Sequence, residues 1–506
     1  MESRLQAVAH GTLARVVPLA MAIVAGLLAF WITAAPGPGL EPDSMSYAGS
    51  AEWFARHGTL AVPTAYWWES DSTSALGSFP PGYPLTVSAP VALGVAPVQA
   101  ARLVIVLAAM LTAWALASAA FAAAGWLGGG LAALLALLAP GVVTQHWIVL
   151  SEPLSYALLA ITLGLMAARP ERAWAYGLTA ALANLVRYAE VASVVAVVFW
   201  AFLQPATWKI RLKRAVFAGI PAVMLQGAWL VRERIVEART PFATVGTFGG
   251  VAGAVGQGIG RIGAWLVPSP ILPDSLIPLA VLAMLAVLWL VHRTISVRVP
   301  QIGMLERWLL AILLFSGVYA GILLFSRTFV GGEIEFDDRI LSPLYICGGA
   351  AVGTMVGYLW DGWTVRGRWA AGGILAAWMA AAVVVDIGQV QSLRTDGYGY
   401  EGADWQKTDF AQWLRTVGAK YDIYSNDPAA IYFLTGRPSR MLPETLAPDS
   451  VARFRAVFDK HPSLLVGFQD DYRQSASPAV LARQYGLWKL KEFDYGTAWG
   501  VRMAPP

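Results

Sequence analysis

Apolar residues fill long, nearly unbroken runs that begin near Val16, Gln99, Trp126, Leu150, Trp174, Val191, Ala215, Ser275, Trp308, Ile340 and Trp369. Polar residues gather in the gaps between them. A helix needs ~20 residues to cross ~30 Å of hydrocarbon, and most of these runs are that long or nearly so. The pattern predicts a polytopic α-helical membrane protein of about eleven transmembrane helices. From Gln389 onward the pattern changes. Helical spacing at Thr408 to Val417, Asp427 to Thr435 and Ser450 to His461 alternates with strand-like runs at Asp422 to Ser425, Leu464 to Phe468, Trp488 to Phe493 and Thr497 to Met503. A membrane domain at 1–388 followed by a small α/β domain at 389–506 is expected.

Composition agrees: of 506 residues 57% are hydrophobic and 13% charged, far from the balance of a soluble domain. A net charge of +4, scattered along the chain, excludes an electrostatic nucleic-acid binder. The single Cys347, in an apolar run, excludes an internal disulfide framework. Arg4 and Arg15 precede the first apolar run, which is too long for a signal peptide and is read as the first transmembrane helix.

The basic residues are informative through position. With the N-terminus in the cytoplasm, the inner loops hold Arg169 and Arg172, then Lys209, Arg211, Lys213 and Arg214, then Arg293 and Arg298, then Arg366 and Arg368. The loop at 35–93 and the C-terminal domain then face outward, as expected of a multi-pass protein of a bacterial-type cytoplasmic (inner) membrane. The stretch from Ala173 to Gln204 lies between two basic flanks, so it must cross an even number of times. Two helices of roughly fifteen residues fit there, too short to span comfortably. Their apex would carry Arg187, Tyr188 and Glu190 at membrane depth, where ionisable groups usually line a bundle interior or a wet cavity.

In the first outer loop, Glu41-Pro-Asp43-Ser44 reads as the start of an amphipathic interfacial helix. Trp67 and Trp68 fit the headgroup level. Phe79-Pro80-Pro81-Gly82-Tyr83-Pro84 predicts an extended entry into a short apolar helix. The glycines Gly258, Gly260 and Gly263 satisfy a GxGxxG spacing, but no strand precedes them, so a nucleotide site is discounted. The C-terminal domain carries no metal cluster, nucleophile elbow or phosphate loop and is read as a structural lid or an acceptor-binding module.

Asp43-Ser-Met-Ser-Tyr47, Phe79-Pro-Pro-Gly-Tyr-Pro84, Ser151-Glu-Pro-Leu154, Leu185-Val-Arg-Tyr188 and Asp338-Arg-Ile-Leu-Ser-Pro343, in this order, resemble the C-type membrane glycosyltransferases. Nearest in look are the bacterial members related to protein O-mannosyltransferases and lipid A aminoarabinose transferases. Some relatives carry Lys before the double proline where this chain has Phe79, which removes one expected phosphate contact. The resemblance implies an inverting hexosyl- or pentosyltransferase that uses a polyprenyl-phosphate sugar donor in the membrane lipid. The acceptor hydroxyl would sit on a glycan, lipid or protein. Independently, an outward-facing site cannot draw on nucleotide sugars, so a donor must arrive attached to a lipid.

Attack at the anomeric carbon requires a carboxylate to take the hydroxyl proton and cations to hold the departing phosphate. Asp43, matching the family's acidic position in the first outer loop, is the candidate general base, the alternative being a helix N-cap provided by Asp43 or Ser44. Glu152 matches the second outer acidic position; its alternative is a carboxylate placed at a helix N-terminus. Arg187 and Arg339 are candidates to clamp phosphate, since guanidinium binds it bidentately; for Arg339 a salt bridge with Asp337 or Asp338 competes. Tyr47, Pro81, Tyr83, Tyr188, Glu190 and Asp338 are candidates to line the donor and acceptor cavity. Glu41 and Asp43 could hold a divalent cation, Mg or Mn. A transporter or flippase of lipid-linked sugar, and an oligosaccharide transferase or polymerase, remain as alternatives.

Overall fold

The computed structural model describes residues 2–237, 250–268, 303–331, 334–417, 420–468 and 477–500. Among them six helices are long and apolar enough to cross a membrane: Thr12–Ile32, Pro97–Leu137, Trp208–Val236, Met304–Phe329, Asp338–Gly362 and Val365–Asp396. Three shorter apolar helices, Glu152–Ala168, Ala173–Val186 and Tyr188–Leu203, pack among them. The 41-residue helix α4 (Pro97–Leu137) is interrupted at Ala124 and Gly125, where Gly125 takes φ 72°, a region that glycine enters without steric cost. That break separates the predicted segments beginning at Gln99 and Trp126. The predicted segment beginning near Ser275, with Arg293 and Arg298, lies outside the described residues.

The predicted hairpin consists of α7 (Ala173–Val186) and α8 (Val191–Leu203), joined by a single 3₁₀ turn at Tyr188–Glu190. At 1.5 Å per residue, a helix of 14 residues is ~21 Å long, shorter than the hydrocarbon. The glycines Gly258, Gly260 and Gly263 lie inside the helix α10 (Val251–Leu266), not in a strand-to-helix turn.

Small residues permit the closest helix contact. On Asp338–Leu359, Gly349, Gly353 and Gly357 recur at each turn and meet Ala136, Ala132 and Gly128 of α4. A Cβ at Gly353 would lie 2.3 Å from the Ala132 nitrogen, so any side chain there forces the helices apart. Where no hydrophobic effect separates helix from lipid, such approach supplies the dispersion contacts that hold helices together.

Outside the bundle, the first loop forms α2 (Pro42–His57), β1 (Ala61–Val62), β2 (Thr64–Ala65), β3 (Ser74–Ala75) and α3 (Gly82–Ala92). Entry to α3 differs from the extended form expected, because Pro81 already takes helical dihedrals (φ −79°, ψ −14°). The C-terminal strands are β4 (Asp422–Ser425), β5 (Ser439–Met441), β6 (Ser463–Phe468), β7 (Trp488–Phe493) and β8 (Gly496–Gly500). They form a six-stranded sheet ordered β2-β5-β4-β6-β8-β7, parallel from β2 to β6 and antiparallel beyond. Its first strand comes from the loop at 35–93, with Thr64 opposite Ser439. Trp67 follows that strand into the domain core. It is 5% exposed, its ring 5.8 Å from Phe454 in a core with Tyr424 and Phe458, while Trp68 stays half-exposed.

Candidate active site

Three distant segments meet edge to edge at one end of the bundle. The Gly39 N–H donates to Trp147 O (2.8 Å) and the Val149 N–H to Gly39 O (2.9 Å). The Leu40 N–H donates to Tyr398 O (3.1 Å) and the Tyr400 N–H to Leu40 O (3.0 Å). Gly399, at φ 59°, passes so close to Leu40 that a Cβ would lie 1.9 Å from the Leu40 carbonyl oxygen. Only glycine fits. This seam fixes the segment before α2, the segment before Ser151 and the chain leaving the last membrane helix, Val365–Asp396.

From the seam, α2 starts at Glu41. The Glu41 N–H donates to the Ser44 hydroxyl (2.9 Å), and Ser44 Oγ donates to Val149 O (2.8 Å). Glu41 is the N-cap residue, and Asp43 makes no capping hydrogen bond. The cap reading therefore passes to Ser44, and the Asp43 carboxylate is turned to another partner, Arg339.

Arg339 Nη2 lies 2.9 Å from Asp43 Oδ2, and Arg339 Nε donates to Glu152 Oε1. The same Glu152 oxygen pairs with Arg187 Nη1. The side chain of Glu152 has no exposed surface, Arg187 retains 15%, and Arg339 and Asp43 retain 30% each. Four groups predicted from four separate motifs thus form one chain of ion pairs, running from a buried end at Arg187 to a half-open end at Asp43. Arg339 does not pair with its neighbours as the alternative had it. Asp337 caps its helix by accepting from the Ile340 N–H (2.8 Å), and Asp338 faces Tyr345 and Arg261.

Aromatic residues surround the cluster. The Tyr47 hydroxyl lies 3.2 Å from Ser151 Oγ, beside Glu152, and the Tyr47 ring stands edge-on to Tyr83 at 5.1 Å. Burial pushes the Tyr47 phenol far above its usual range, with the Glu152 charge adding, so Tyr47 is a hydrogen-bond donor and not a base. Tyr83 is fully buried, and its hydroxyl has no hydrogen-bond partner among the described residues. Pro81 is buried next to it, and Gly82 touches the Leu185 carbonyl closely enough to exclude a side chain. The double-proline segment is thereby set against the hairpin two residues before Arg187.

The remaining candidates lie elsewhere. Tyr188 donates to Glu233 Oε1 (2.8 Å) and accepts from Trp229 (3.0 Å), both on α9 (Trp208–Glu237). Glu190 is fully buried and accepts from Ser155 (2.8 Å) and Ser193. For the divalent cation, the Glu41 carboxylate accepts from Tyr398 (3.1 Å) while Asp43 is held by Arg339. Burial pushes the Glu41 carboxyl above its ordinary range, partly offset by that hydrogen bond. Among the described residues no group of three or more His, Cys, Asp or Glu side chains could hold a metal ion. A guanidinium already sits where the cation would be wanted, so the residues present do not fit a resident metal. Ser151, quoted only as part of its motif, and Tyr398, outside any motif, join the site through Tyr47 and Glu41; a lone Tyr carries no spacing signal.

No family model matches the chain, and no curated protein does. Solved structures do. ArnT from Cupriavidus metallidurans, bound to undecaprenyl phosphate, superimposes with a TM-score of 0.58 at 14% identity, covering 96% of this chain and 97% of its own. The Archaeoglobus fulgidus oligosaccharyltransferase gives 0.54 at 12% identity, over 94% of this chain and 74% of the other. The mycobacterial arabinofuranosyltransferase AftD gives 0.50 at 16% identity, over 96% of this chain and 41% of the other. The fold of this chain is that of the C-type membrane glycosyltransferases.

Proposed function

We propose that this protein transfers a sugar from a polyprenyl-phosphate donor to an acceptor hydroxyl at the outer face of the membrane, with inversion at the anomeric carbon. The observation that carries the reading is the ion-pair chain from Arg187 through Glu152 and Arg339 to Asp43, assembled from four distant motifs. The structure of ArnT with undecaprenyl phosphate bound supports the donor class. In this reading eleven helices span the membrane, the N-terminus is cytoplasmic, and residues 389–506 lie outside with the loop at 35–93. A reporter fused after Pro506 that is active only in the cytoplasm would remove that topology.

Each residue has a role that its surroundings allow. Arg339 occupies Asp43 Oδ2 and leaves Oδ1 to take the proton as the acceptor oxygen attacks the anomeric carbon from the face opposite the phosphate. The bond from that carbon to the phosphate oxygen breaks, and polyprenyl phosphate leaves. Arg187 meets Glu152 through Nη1 alone, and Arg339 Nη1 lies outside the two contacts described, so both guanidinium groups keep donors for the departing phosphate. Glu152, without exposed surface, positions the two arginines and does not touch substrate. No step needs a metal.

The test is radiolabel transfer from a panel of polyprenyl-phosphate sugars into membrane fractions by wild type and Asp43→Asn. Loss of a general base should lower turnover ~10²-fold or more while donor binding persists. Near-normal turnover by folded Asp43→Asn protein would refute the assignment of the base. Absence of transfer from every donor by wild type would remove the transferase reading.

A further inference from the structure

A cavity of about 790 Å³ lies in the first outer loop between Met45 and Phe79, bordered by Val236 of α9 and Met441 of β5. Its lining includes Ser46 of α2, Thr64 of β2, Trp68, Glu69, Asp71 and Phe79. It adjoins the ion-pair chain: Ser46 follows Asp43 by three residues, close to one helical turn, and so shares its side of α2. The Phe79 ring packs 5.0 Å from that of Tyr47, whose hydroxyl reaches Ser151 beside Glu152.

Three features define what the cavity can hold. First, Tyr66 and Trp68 stack with ring centroids 4.6 Å apart and planes 14° from parallel, and Trp68 is half-exposed, which leaves a flat apolar surface in a polar setting. Second, the charged lining residues are Glu69 and Asp71, with hydroxyl side chains around them and no Lys or Arg among the described lining. Two guanidinium groups border it from behind: Arg440, 7% exposed, spends donors on the backbone carbonyls of Glu69, Ser70 (2.8 Å) and Asp71 (2.8 Å), and Arg232 donates to the carbonyls of Leu76 and Leu60 (2.8 Å). Third, Thr64 is 3% exposed and its hydroxyl has no hydrogen-bond partner among the described residues, although it lines the cavity. A buried polar group left so is one that a ligand can satisfy.

We infer that this cavity is the acceptor site and that the acceptor is an uncharged glycan. The inference rests on the transferase reading and names its second substrate. A sugar ring offers an apolar C–H face to Trp68 and, at its rim, hydroxyl donors to carboxylates that can only accept. An anionic acceptor would meet two negative charges with no cation in the lining, the bordering Arg440 and Arg232 being turned to backbone carbonyls, and an acyl chain would strip water from Glu69 and Asp71 without replacing their hydrogen bonds. Both are discriminated against.

The experiment measures binding without donor. Full-length protein in lipid nanodiscs is titrated with mannose, glucose, galactose and arabinose hexasaccharides, and with hexagalacturonate as the anionic probe, and read by saturation-transfer NMR. At least one neutral hexasaccharide should bind, Trp68→Ala and Asp71→Asn should each weaken it about tenfold or more, and hexagalacturonate should give no signal. Both positions are exposed and Asp71→Asn is isosteric, so folding is expected to persist. No binding by any neutral glycan, equal binding of hexagalacturonate, or unchanged binding by both variants would overturn the inference. The two readings fail separately. Glycan binding without consumption of any polyprenyl-phosphate sugar would remove the transferase and keep the glycan site. Transfer into a lipid or protein fraction that Trp68→Ala leaves unaffected would do the reverse.

Discussion

Glu152 and Asp43 are carboxylates held by the same arginine, one inside a chain of ion pairs and the other at its half-open end. Glu152 has no exposed side-chain surface and meets two guanidinium groups, whereas Asp43 meets one and keeps 30% of its surface. The chemistry of the groups is identical and their surroundings differ. At the buried end, removing a partner strands a charge without solvent, so the pairing is bound up with folding. At the half-open end, water or a hydroxyl can take the place of a lost partner. Charge inside holds the frame, and in the proposed mechanism charge at the rim reacts.

The contrast can be broken from its stronger side first. Glu152→Ala leaves Arg187 and Arg339 without their shared counter-ion and should destabilise the protein by about 3–5 kcal/mol, the range for a broken buried pair. Thermal unfolding in detergent would register it. A loss under ~1 kcal/mol would mean that the arginines relax to solvent and that the buried end is not structural. Next in size, Arg187→Lys keeps the charge but loses the planar fork, and donor affinity should fall about tenfold, measured as competition by polyprenyl phosphate. Unchanged affinity would limit Arg187 to holding Glu152. Smaller again, Asp43→Asn should cost under ~1 kcal/mol of stability, as partly exposed pairs do, in contrast to its effect on turnover.

The smallest effect falls on a carboxyl outside the cluster. Burial pushes Glu401 up to about 7, above the ordinary glutamate range near ~4.3. A raised carboxyl favours the folded state fully below its unfolded pKa, and that contribution is lost as pH rises toward the folded value, here between about 4 and 7. Glu401→Gln should therefore raise the melting temperature more at pH 8 than at pH 5. An equal change at both pH values would show that Glu401 ionises as freely folded as unfolded.

Much of this arrangement was legible in the chain. The hairpin carrying Arg187 could be read because basic flanks on both sides demanded an even number of crossings, β7 because apolar and polar residues alternate from Trp488 to Phe493, and β6 because Leu464 to Phe468 is a short apolar run. Thr64–Ala65 could not be read as a sheet edge: two residues carry no periodicity, and their partner Ser439 is distant in sequence. Adjacency misled at Arg339. Successive helical residues point ~100° apart, so Asp337 and Asp338, though neighbours, face other ways, while Asp43 and Glu152 are brought to Arg339 by tertiary packing. Nor does the pattern of apolar runs reveal the Gly349, Gly353 and Gly357 stripe, because hydrophobicity averages glycine away whereas packing depends on its missing side chain.

The seam between Leu40 and Gly399 sets an order of events during synthesis. Asp43 and Leu40 leave the ribosome with the loop at 35–93, but the segment that pairs with Leu40 is made only after the helix Val365–Asp396. Until then α2 lacks one of the two backbone edges that hold its start, even though Asp43, Glu152, Arg187 and Arg339 have all been made. A nascent chain released at 388 should carry the four charged groups without their registry, and one released at 406 should have it; protection of Asp43 from a carboxyl-modifying reagent distinguishes the two. The segment that follows the last membrane helix would thus act as a latch on the segment that precedes α2.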